Sequence, residues 1–290
     1  MTKQTGRIFL ITGVSTGLGR AFARGALQAG HTVAGTVRQA RDAKAFHALE
    51  PERAHPYLLD VTHDREVARV VDDVESTVGP IDVLISNAGY GHEGLIEEST
   101  MQQLRDQFAV NVFGAVAVIK AVLPRMRPRR AGHIITVTAM GGLTTFPGLG
   151  FYHGSKYALE GITEALGKEV AGLGIHVTAI EPGGFRTDWA GRSMVRAERL
   201  IADYDALFDP LRANRARQRL PAGRPRQGGA SDAADLGCAG SSRPPDPRVR
   251  RAAPGHRRPG RGHRGLPSLE ATLMLNRLHR PRVDMVIFIV

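Results

Sequence analysis

The chain has 290 residues, of which 42% are apolar, with one cysteine and a formal net charge of +11 at pH 7. This length and composition can bury one large α/β core or two small ones. The single cysteine, Cys238, excludes an internal disulfide and a cysteine-built metal site, so we expect no metal centre of that kind. No charged leader or twenty-residue apolar run is evident, which favours a cytoplasmic protein without a membrane segment.

The positive charge belongs to the C-terminal quarter. Residues 1–220 carry 26 Lys and Arg against 23 acids, whereas residues 221–290 carry 13 Arg, no Lys and 5 acids. The first three quarters are therefore close to neutral, which argues against a polyanionic partner for that part of the chain.

A strand, a glycine turn and a helix open the chain. Apolar residues 8–11 are followed by Gly13, Gly17 and Gly19 and then by a helical pattern. Glycines let backbone N–H groups approach a pyrophosphate, and a helix N-terminus adds partial positive charge. The alternative is a tight turn that binds nothing.

The second predicted strand, residues 31–37, ends at Arg38. In a dinucleotide fold this strand end lies beside the adenosine ribose, where an acid would bind the 2′-hydroxyl. No acid stands there, and a guanidinium suits a phosphate, so NADP(H) is favoured over NAD(H). The alternative is that Arg38 is a solvated surface residue.

Four further strands are predicted at residues 57–61, 81–86, 133–138 and 175–180, and helices at 64–78 and 101–126. Asn111 lies inside the second of these helices, flanked by apolar residues, where an asparagine is mildly unfavourable and needs a reason. Tyr152 and Lys156 are four residues apart in a helical stretch, so both point the same way. A nearby ammonium favours the phenolate of a tyrosine acid/base.

Five elements in this order resemble the short-chain dehydrogenase/reductase family. They are Thr12-Gly13-x-x-x-Gly17-x-Gly19, Asn87-Ala88-Gly89, Asn111, Tyr152-x-x-x-Lys156 and Pro182-Gly183-x-x-x-Thr187. The resemblance covers residues 7–220 and is closest to the classical branch, near its 17β-hydroxysteroid and retinol dehydrogenase members. It implies a Rossmann-type, doubly wound parallel sheet in the order 3-2-1-4-5-6 with helices on both faces.

The resemblance also implies an oxidoreductase that interconverts an alcohol and a carbonyl with NADP(H). Tyr152 would exchange the proton, Lys156 would bind the ribose hydroxyls, and Asn111 would hold a water in a proton relay. A homo-oligomer is expected by the same analogy. The implied cofactor-binding residues are Gly13, Ser15, Thr16, Gly17, Leu18, Gly19, Arg38, Asp60, Val61, Asn87, Ala88, Gly89, Tyr152, Lys156, Pro182, Gly183 and Thr187. For Asp60, capping of the following helix is an equal explanation.

One position departs from the family. Thirteen residues before the tyrosine, where the family has a serine that hydrogen-bonds the substrate oxygen, this chain has Ala139. Thr138 is the candidate replacement, provided that the strand end is kinked, because adjacent residues on a strand face opposite ways. Ser155 is not expected to replace it. A catalytically impaired, cofactor-binding protein is therefore the alternative function.

The remaining residues are expected to form a lid and a tail. Residues 187–220 have helical spacing, and the resemblance implies that this region is the mobile substrate lid. Residues 221–270 contain 27 Arg, Pro or Gly. The large apolar residues of this segment are too few to form a core. The segment 221–290 is interpreted as a disordered tail, a nucleic-acid-binding or membrane-surface arm, or an out-of-frame end. In the last case the final strand is missing or replaced.

Overall fold

The computed structural model describes residues 6–183, 193–209 and 284–288. Its centre is a parallel sheet of seven strands in the order β3-β2-β1-β4-β6-β7-β9. The strands of this sheet are β1 (Ile8–Ile11), β2 (Thr32–Val37), β3 (Ala54–Leu58), β4 (Val83–Ser86), β6 (Gly132–Val137), β7 (Ile175–Pro182) and β9 (Asp284–Phe288). A separate pair of short parallel strands joins β5 (Gly91–Glu93) to β8 (Met194–Arg196).

Helices cover both faces of the sheet. They are α1 (Gly17–Gln28), α2 (Ala40–His47), α3 (Asp64–Thr77), α4 (Met101–Phe108), α5 (Ala115–Arg129) and α6 (Gly150–Val170). One core contains apolar residues of α3 and α5, such as Val70 and Val122, and the other contains residues of α1 and α2, such as Ala26 and Phe46. Strands such as β1 and β4 are buried throughout because a parallel sheet is covered on both faces.

The predicted strand order is confirmed: the first six predicted strands are β3-β2-β1-β4-β6-β7 of the sheet. The order reverses between β1 and β4, so ligands are expected in the crevice beyond their carboxyl ends. The edge beside β7 is not left unpaired, since Asp284–Phe288 pairs with Thr178–Pro182 in parallel register. The predicted missing or replaced strand is thus supplied from the segment that we interpreted as a tail; residues 210–283 lie outside the described residues.

Two predicted elements differ from the structure. The third strand is Ala54–Leu58 rather than 57–61, because the register with β2 begins at Val33 and Ala54. Residues 193–209 do not form the predicted lid helix throughout: Met194–Arg196 is a strand held by β5, and a short 3₁₀ turn follows at Ala202–Tyr204. Tertiary pairing shifts the bounds of the third strand and overrides the helical spacing at residues 194–196.

The helix predicted at 101–126 becomes a continuous helical run from α4 through a π-helical segment, Ala109–Gly114, to α5. Its 29 residues have the length and mean hydropathy of a membrane-crossing helix, and 44% of its most apolar stretch is buried inside the protein. Val118 and Val122 on this run pack in the core of the sheet. This is the pattern of a core helix in an α/β domain.

Candidate active site

The glycine turn after β1 leaves an open, positively polarised cradle. Gly13 and Gly17 have backbone φ angles of 75° and 59°, which residues other than glycine rarely adopt. A Cβ on Gly17 would meet nothing within 4 Å, whereas one on Gly19 would strike the Gly13 carbonyl oxygen and the Asn87 side chain. Helix α1 begins at Gly17 with no acid in its first turn, so its N–H groups suit an anion. Ser15, Thr16 and Leu18 lie along this turn, and the geometry fits a dinucleotide phosphate.

Asn87 ties the glycine turn to the end of β4. Its Nδ2 donates to the carbonyl oxygens of Thr12 at 2.8 Å and Gly13 at 3.2 Å. The Thr12 hydroxyl accepts from the backbone N–H groups of Asn87 and Ala88, both at 2.9 Å. Thr12, quoted only as part of the glycine motif, therefore carries as much of this link as Asn87. Ala88 packs against Gly13, as a backbone passing close to the cofactor requires.

The adenosine side is formed after β2 and β3. Arg38 is exposed just beyond β2. Asp60 accepts from the backbone N–H and the hydroxyl of Thr62 at 3.0 and 2.7 Å. Burial favours a raised pKa for Asp60, but these hydrogen bonds and the charges of His63 and Arg38 outweigh it, and the pKa is lowered. Helix α3 has His63 at its N-cap, so the capping interpretation of Asp60 is wrong.

Asn111 lies in the π-helical segment and is almost wholly buried. Its Nδ2 donates to the Tyr90 carbonyl at 3.0 Å and to the Ser155 hydroxyl at 3.1 Å, while its Oδ1 accepts from the Tyr90 N–H at 3.0 Å. The Ser155 hydroxyl donates in turn to the Tyr152 carbonyl at 2.7 Å. The Asn111 side chain thus joins the segment after Gly89 to the helix of the tyrosine, and π-helical segments are typical of functional sites.

Tyr152 and Lys156 are buried on the same face of α6. The Lys156 Nζ lies 5.9 Å from the centre of the Tyr152 ring and donates to the Val137 carbonyl at 3.0 Å. Burial raises the pKa of Tyr152 and lowers that of Lys156 to about 8, with the charge of Glu160 opposing the second shift. In the protein alone, burial therefore outweighs the phenolate-stabilising effect that the spacing predicted.

Thr138 does not take the place of the family serine. Its hydroxyl donates to the Ile180 carbonyl at 3.0 Å, and its N–H donates to the same oxygen at 2.8 Å. The hydroxyl is thus used in the link between β6 and β7, which argues against the catalytic role that we expected for Thr138. Ala139 is extended and buried. Ser155 bonds to the backbone of Tyr152, as expected for a residue that does not substitute for the serine.

Two carboxyl groups near Lys156, one half-buried and one fully buried, were not singled out in the sequence. Glu160 follows Lys156 by one helical turn, and Glu181 is fully buried near the end of β7. Burial raises the pKa of both carboxyl groups. The charge of Lys156 opposes this shift at Glu160, and the charge of Glu160 adds to it at Glu181. Spacing on α6 could have indicated Glu160, but only the folded chain brings β7 beside it.

The substrate side is built from three loops. They are the segment after Gly89, the loop before α6 and residues 193–209; Gly94 N–H bonds to the Gly148 carbonyl at 2.9 Å, and Phe208 packs on Gly148. Pro182 and Gly183 end β7 beside this region, whereas Thr187 lies outside the described residues. Several large apolar side chains remain exposed on these loops: Ile96, Leu143, Phe146, Val195, Leu200 and Leu207.

Comparison with known proteins agrees with this geometry. The family model described as short chain dehydrogenase matches residues 7–196. The chain belongs to the short-chain dehydrogenase family. The predicted family, α/β fold class and oxidoreductase class are thereby confirmed, and short-chain dehydrogenases of solved structure include dinucleotide-bound examples.

Curated oxidoreductases match over about two thirds of this chain. Oxidoreductase BOA17 of Botryotinia fuckeliana is 41% identical over 189 residues, which are 65% of this chain and 69% of that protein. The 3-ketodihydrosphingosine reductase of Bacteroides thetaiotaomicron is 39% identical over 62% of this chain and 65% of its own length. Human retinol dehydrogenase 8 is 33% identical over 66% of this chain and 62% of its own.

Solved short-chain dehydrogenases share the fold. One from Streptomyces avermitilis has a TM-score of 0.69 and 38% identity, covering 72% of this chain and 77% of its own. Actinorhodin polyketide ketoreductase, solved with NADPH, has a TM-score of 0.62 at 31% identity, covering 64% of this chain and 74% of its own. Xylitol dehydrogenase, solved with NAD⁺, has a TM-score of 0.60 at 31% identity over 63% and 72%. The solved relatives thus include one with NADPH and one with NAD⁺.

Proposed function

We propose that the protein is an NADP(H)-dependent oxidoreductase that interconverts an alcohol and a carbonyl. The proposal is carried by three side chains on neighbouring helices. Asn111 is linked to Tyr152 through Ser155, and Lys156, on the same face of α6 as Tyr152, donates to the last residue of β6, Val137. The nicotinamide would supply or accept the hydride when bound, and a tyrosine acid/base is the complementary proton carrier.

The chain's own residues would act as follows. The Tyr152 hydroxyl exchanges the proton with the substrate oxygen. Lys156, whose Nζ already donates to the Val137 carbonyl at 3.0 Å, offers its remaining N–H groups to ribose hydroxyls and holds positive charge beside the phenol. Asn111 keeps Tyr90 and Ser155 in place around this pair. Cytoplasmic location remains part of this proposal.

NADP(H) is proposed over NAD(H) because of the residues after β2. Arg38 is exposed there, no acid occupies the strand end, and the charge of Arg38 reaches Asp60. A guanidinium favours a 2′-phosphate, and an acid at the same place would repel it. The NADPH-bound ketoreductase supports this choice, and the NAD⁺-bound xylitol dehydrogenase marks the alternative.

We propose a long-chain, apolar substrate. Ile96 and Leu200, which are 73% and 69% exposed, stand among the exposed apolar side chains of the three substrate-side loops. Exposed apolar patches typically mark binding surfaces. Two relatives, a 3-ketodihydrosphingosine reductase and a retinol dehydrogenase, are named for substrates of this class, which supports the proposal. A series of methyl ketones of increasing chain length should show kcat/KM rising with length, and a flat series would contradict the class.

A homo-oligomer is part of the proposal. Phe113 and Tyr157 are 64% and 44% exposed on the helical run around Asn111 and on α6. We propose that these helices form the dimer surface, by analogy with the family. Light scattering of the purified chain tests it, with a monomer mass as the contrary result.

The second candidate is a cofactor-binding protein with little catalysis. It is favoured by Ala139 together with the use of the Thr138 hydroxyl in the β6–β7 link, because no donor replaces the family serine among the described residues of this strand end. Loss of such a donor typically costs roughly 10²–10³ in rate.

Calorimetric titrations with NADPH and with NADH test the proposed cofactor preference. Tighter NADPH binding is expected, and equal or absent binding of both would contradict the proposal. A carbonyl screen with Tyr152→Phe as the control tests the chemistry: the variant should keep cofactor affinity while losing at least about 10² in turnover. Turnover unchanged in Tyr152→Phe would remove Tyr152 from the mechanism, and no turnover in either would favour the second candidate.

A further inference from the structure

The segment 193–209, called here the lid segment, is attached to the substrate side by few backbone bonds. Gly91 N–H donates to the Ser193 carbonyl at 2.8 Å, and Ala197 N–H donates to the Glu93 carbonyl at 2.9 Å. Strands β5 and β8 contribute three residues each. Such a short two-stranded ribbon is marginally stable by itself, so side-chain contacts must hold the segment.

The principal side-chain contact is the carboxylate of Glu98, which precedes α4. Its Oε1 accepts from the N–H groups of Leu200 and Ile201, each at 2.9 Å, and from the Arg199 Nε at 3.2 Å, while Nε lies 3.1 Å from Oε2. The Glu98 side chain is fully buried and that of Arg199 is 16% exposed. Three successive residues of the lid segment therefore share one buried acceptor group.

Arg199 extends this contact to the end of the segment. Its Nη2 donates to Asp205 at 2.6 Å and to the Ile201 carbonyl at 3.3 Å, and its guanidinium lies 4.7 Å from the centre of the Phe208 ring. Phe208 is buried against Gly148, two residues before α6 begins. The ion pair thus connects both halves of the segment to the loop that leads to Tyr152.

We propose that Glu98 and Arg199 are positioning residues that anchor the lid segment over the substrate side and thereby govern substrate capture. A buried ion pair is costly to break because one charge is left without its partner, so the anchor holds the segment in one place. Leu200, whose N–H bonds to Glu98, then keeps its exposed apolar side chain on the anchored segment. The anchor itself is independent of the proposed function; only its kinetic consequence rests on that function.

Hydrogen exchange of the full chain tests the anchor without any substrate. In Glu98→Ala, peptides covering residues 193–209 should exchange at least about tenfold faster than in the unaltered protein. The reason is that local opening of the segment no longer has to break the ion pair, so it costs less free energy. Unchanged exchange in these peptides would overturn the proposal.

Glu75→Ala is the matched control. Glu75 also combines a backbone N–H, that of Ile81 at 2.9 Å, with an arginine, Arg129 at 2.7 Å, but it lies on α3, away from the lid segment. Its loss should leave exchange at residues 193–209 unchanged. Equal acceleration in Glu75→Ala and Glu98→Ala would show a general loss of stability instead of an anchor and would also overturn the proposal.

Arg199→Met decides the case if Glu98→Ala fails to fold, because it removes the ion pair and the Phe208 contact but keeps an apolar side chain. It should accelerate exchange at 193–209 and, in a turnover assay, raise KM about tenfold with kcat within about twofold and NADPH affinity unchanged. A fall in kcat alone would overturn the capture role. If the unaltered protein has no turnover, the proposed function fails while the exchange result still decides the anchor.

Discussion

The two sides of the candidate site are built in different ways. The cofactor side is built mainly from main-chain atoms and small residues. Gly13, Gly17 and Gly19 form the turn, and Asn87 bonds to backbone carbonyls. On the substrate side, charged and apolar side chains from distant segments meet, as in the pair of Glu98 and Arg199.

The difference has a physical reason. A dinucleotide phosphate is recognised by backbone N–H groups at a helix N-terminus, which need close approach and tolerate no substitution of the crowded glycine. A substrate surface needs only apolar area and a closing segment, which many side-chain sets can provide. Variants on the cofactor side should therefore give the larger effects, and the following experiments measure that contrast.

Gly19→Ala should give the largest effect, a loss of measurable dinucleotide binding. The new Cβ would strike the Gly13 carbonyl oxygen and the Asn87 side chain, so the turn must shift. Calorimetric titration with NADPH measures the loss. Gly161→Ala is the matched control, since a Cβ there meets nothing within 4 Å on α6, and binding should be unchanged. Retained affinity in Gly19→Ala would show that the turn adapts and would weaken the contrast.

Ala139→Ser should raise kcat/KM by roughly 10²–10³ if the missing hydroxyl limits the chemistry. Thr138 is not expected to serve in place of the family serine, because its hydroxyl donates to the Ile180 carbonyl. Steady-state kinetics with the best carbonyl substrate measures the gain. Thr138→Val is the companion variant, and it should leave the rate of the Ala139 protein nearly unchanged. A large loss in Thr138→Val would restore Thr138 to the mechanism.

Arg38→Ser should weaken NADPH binding about 10- to 100-fold and leave NADH binding nearly unchanged, because charge-assisted hydrogen bonds to a phosphate are worth about 1.5–3 kcal/mol. Parallel titrations with the two dinucleotides give the ratio. Arg41→Ser is a useful comparison, since Arg41 lies three residues on and is also exposed. An equal loss for both dinucleotides would contradict a role in 2′-phosphate recognition.

The pH dependence should be the smallest effect at neutral pH. Because burial lowers the pKa of Lys156 to about 8, the protein loses this ammonium as pH rises through that value, and kcat/KM should fall roughly tenfold per pH unit above it. Between about 8 and 10.5 the unfolded chain binds this proton better than the folded one. The contribution of Lys156 to the free energy of unfolding therefore rises with pH over that window.

Urea unfolding at pH 7.5 and 9.5 checks the sign of this contribution. The increase in the free energy of unfolding between the two pH values should be smaller in Lys156→Met, which has no proton to lose. If the free energy of unfolding rises equally with pH in both proteins, burial does not destabilise the Lys156 ammonium. Glu164→Gln, on the exposed face of α6, provides a control that should leave the slope unchanged.

The cofactor side could be predicted well from the sequence because its signals are local. Gly13, Gly17 and Gly19 fall within seven residues, and Tyr152 and Lys156 within one helical turn. Thr138 could not be assigned in this way, since the direction of a side chain at a strand end depends on which backbone oxygen lies beside it. The strand Met194–Arg196 was missed for the same reason, as its partner Gly91–Glu93 lies about a hundred residues earlier.

The sequence by itself determined the positions of the tyrosine, lysine and glycine motifs, because each depends on short-range spacing and on which residues fit a tight turn. The resemblance of these motifs to a known family then implied the strand order. Only the tertiary structure decided that Asp284–Phe288 pairs beside β7, that Asp60 bonds to Thr62, and that Glu98 holds Arg199. Those contacts join residues whose separation carries no periodic signal, or they depend on a rotamer choice. They form because buried charges and strand edges must find partners once the chain is packed.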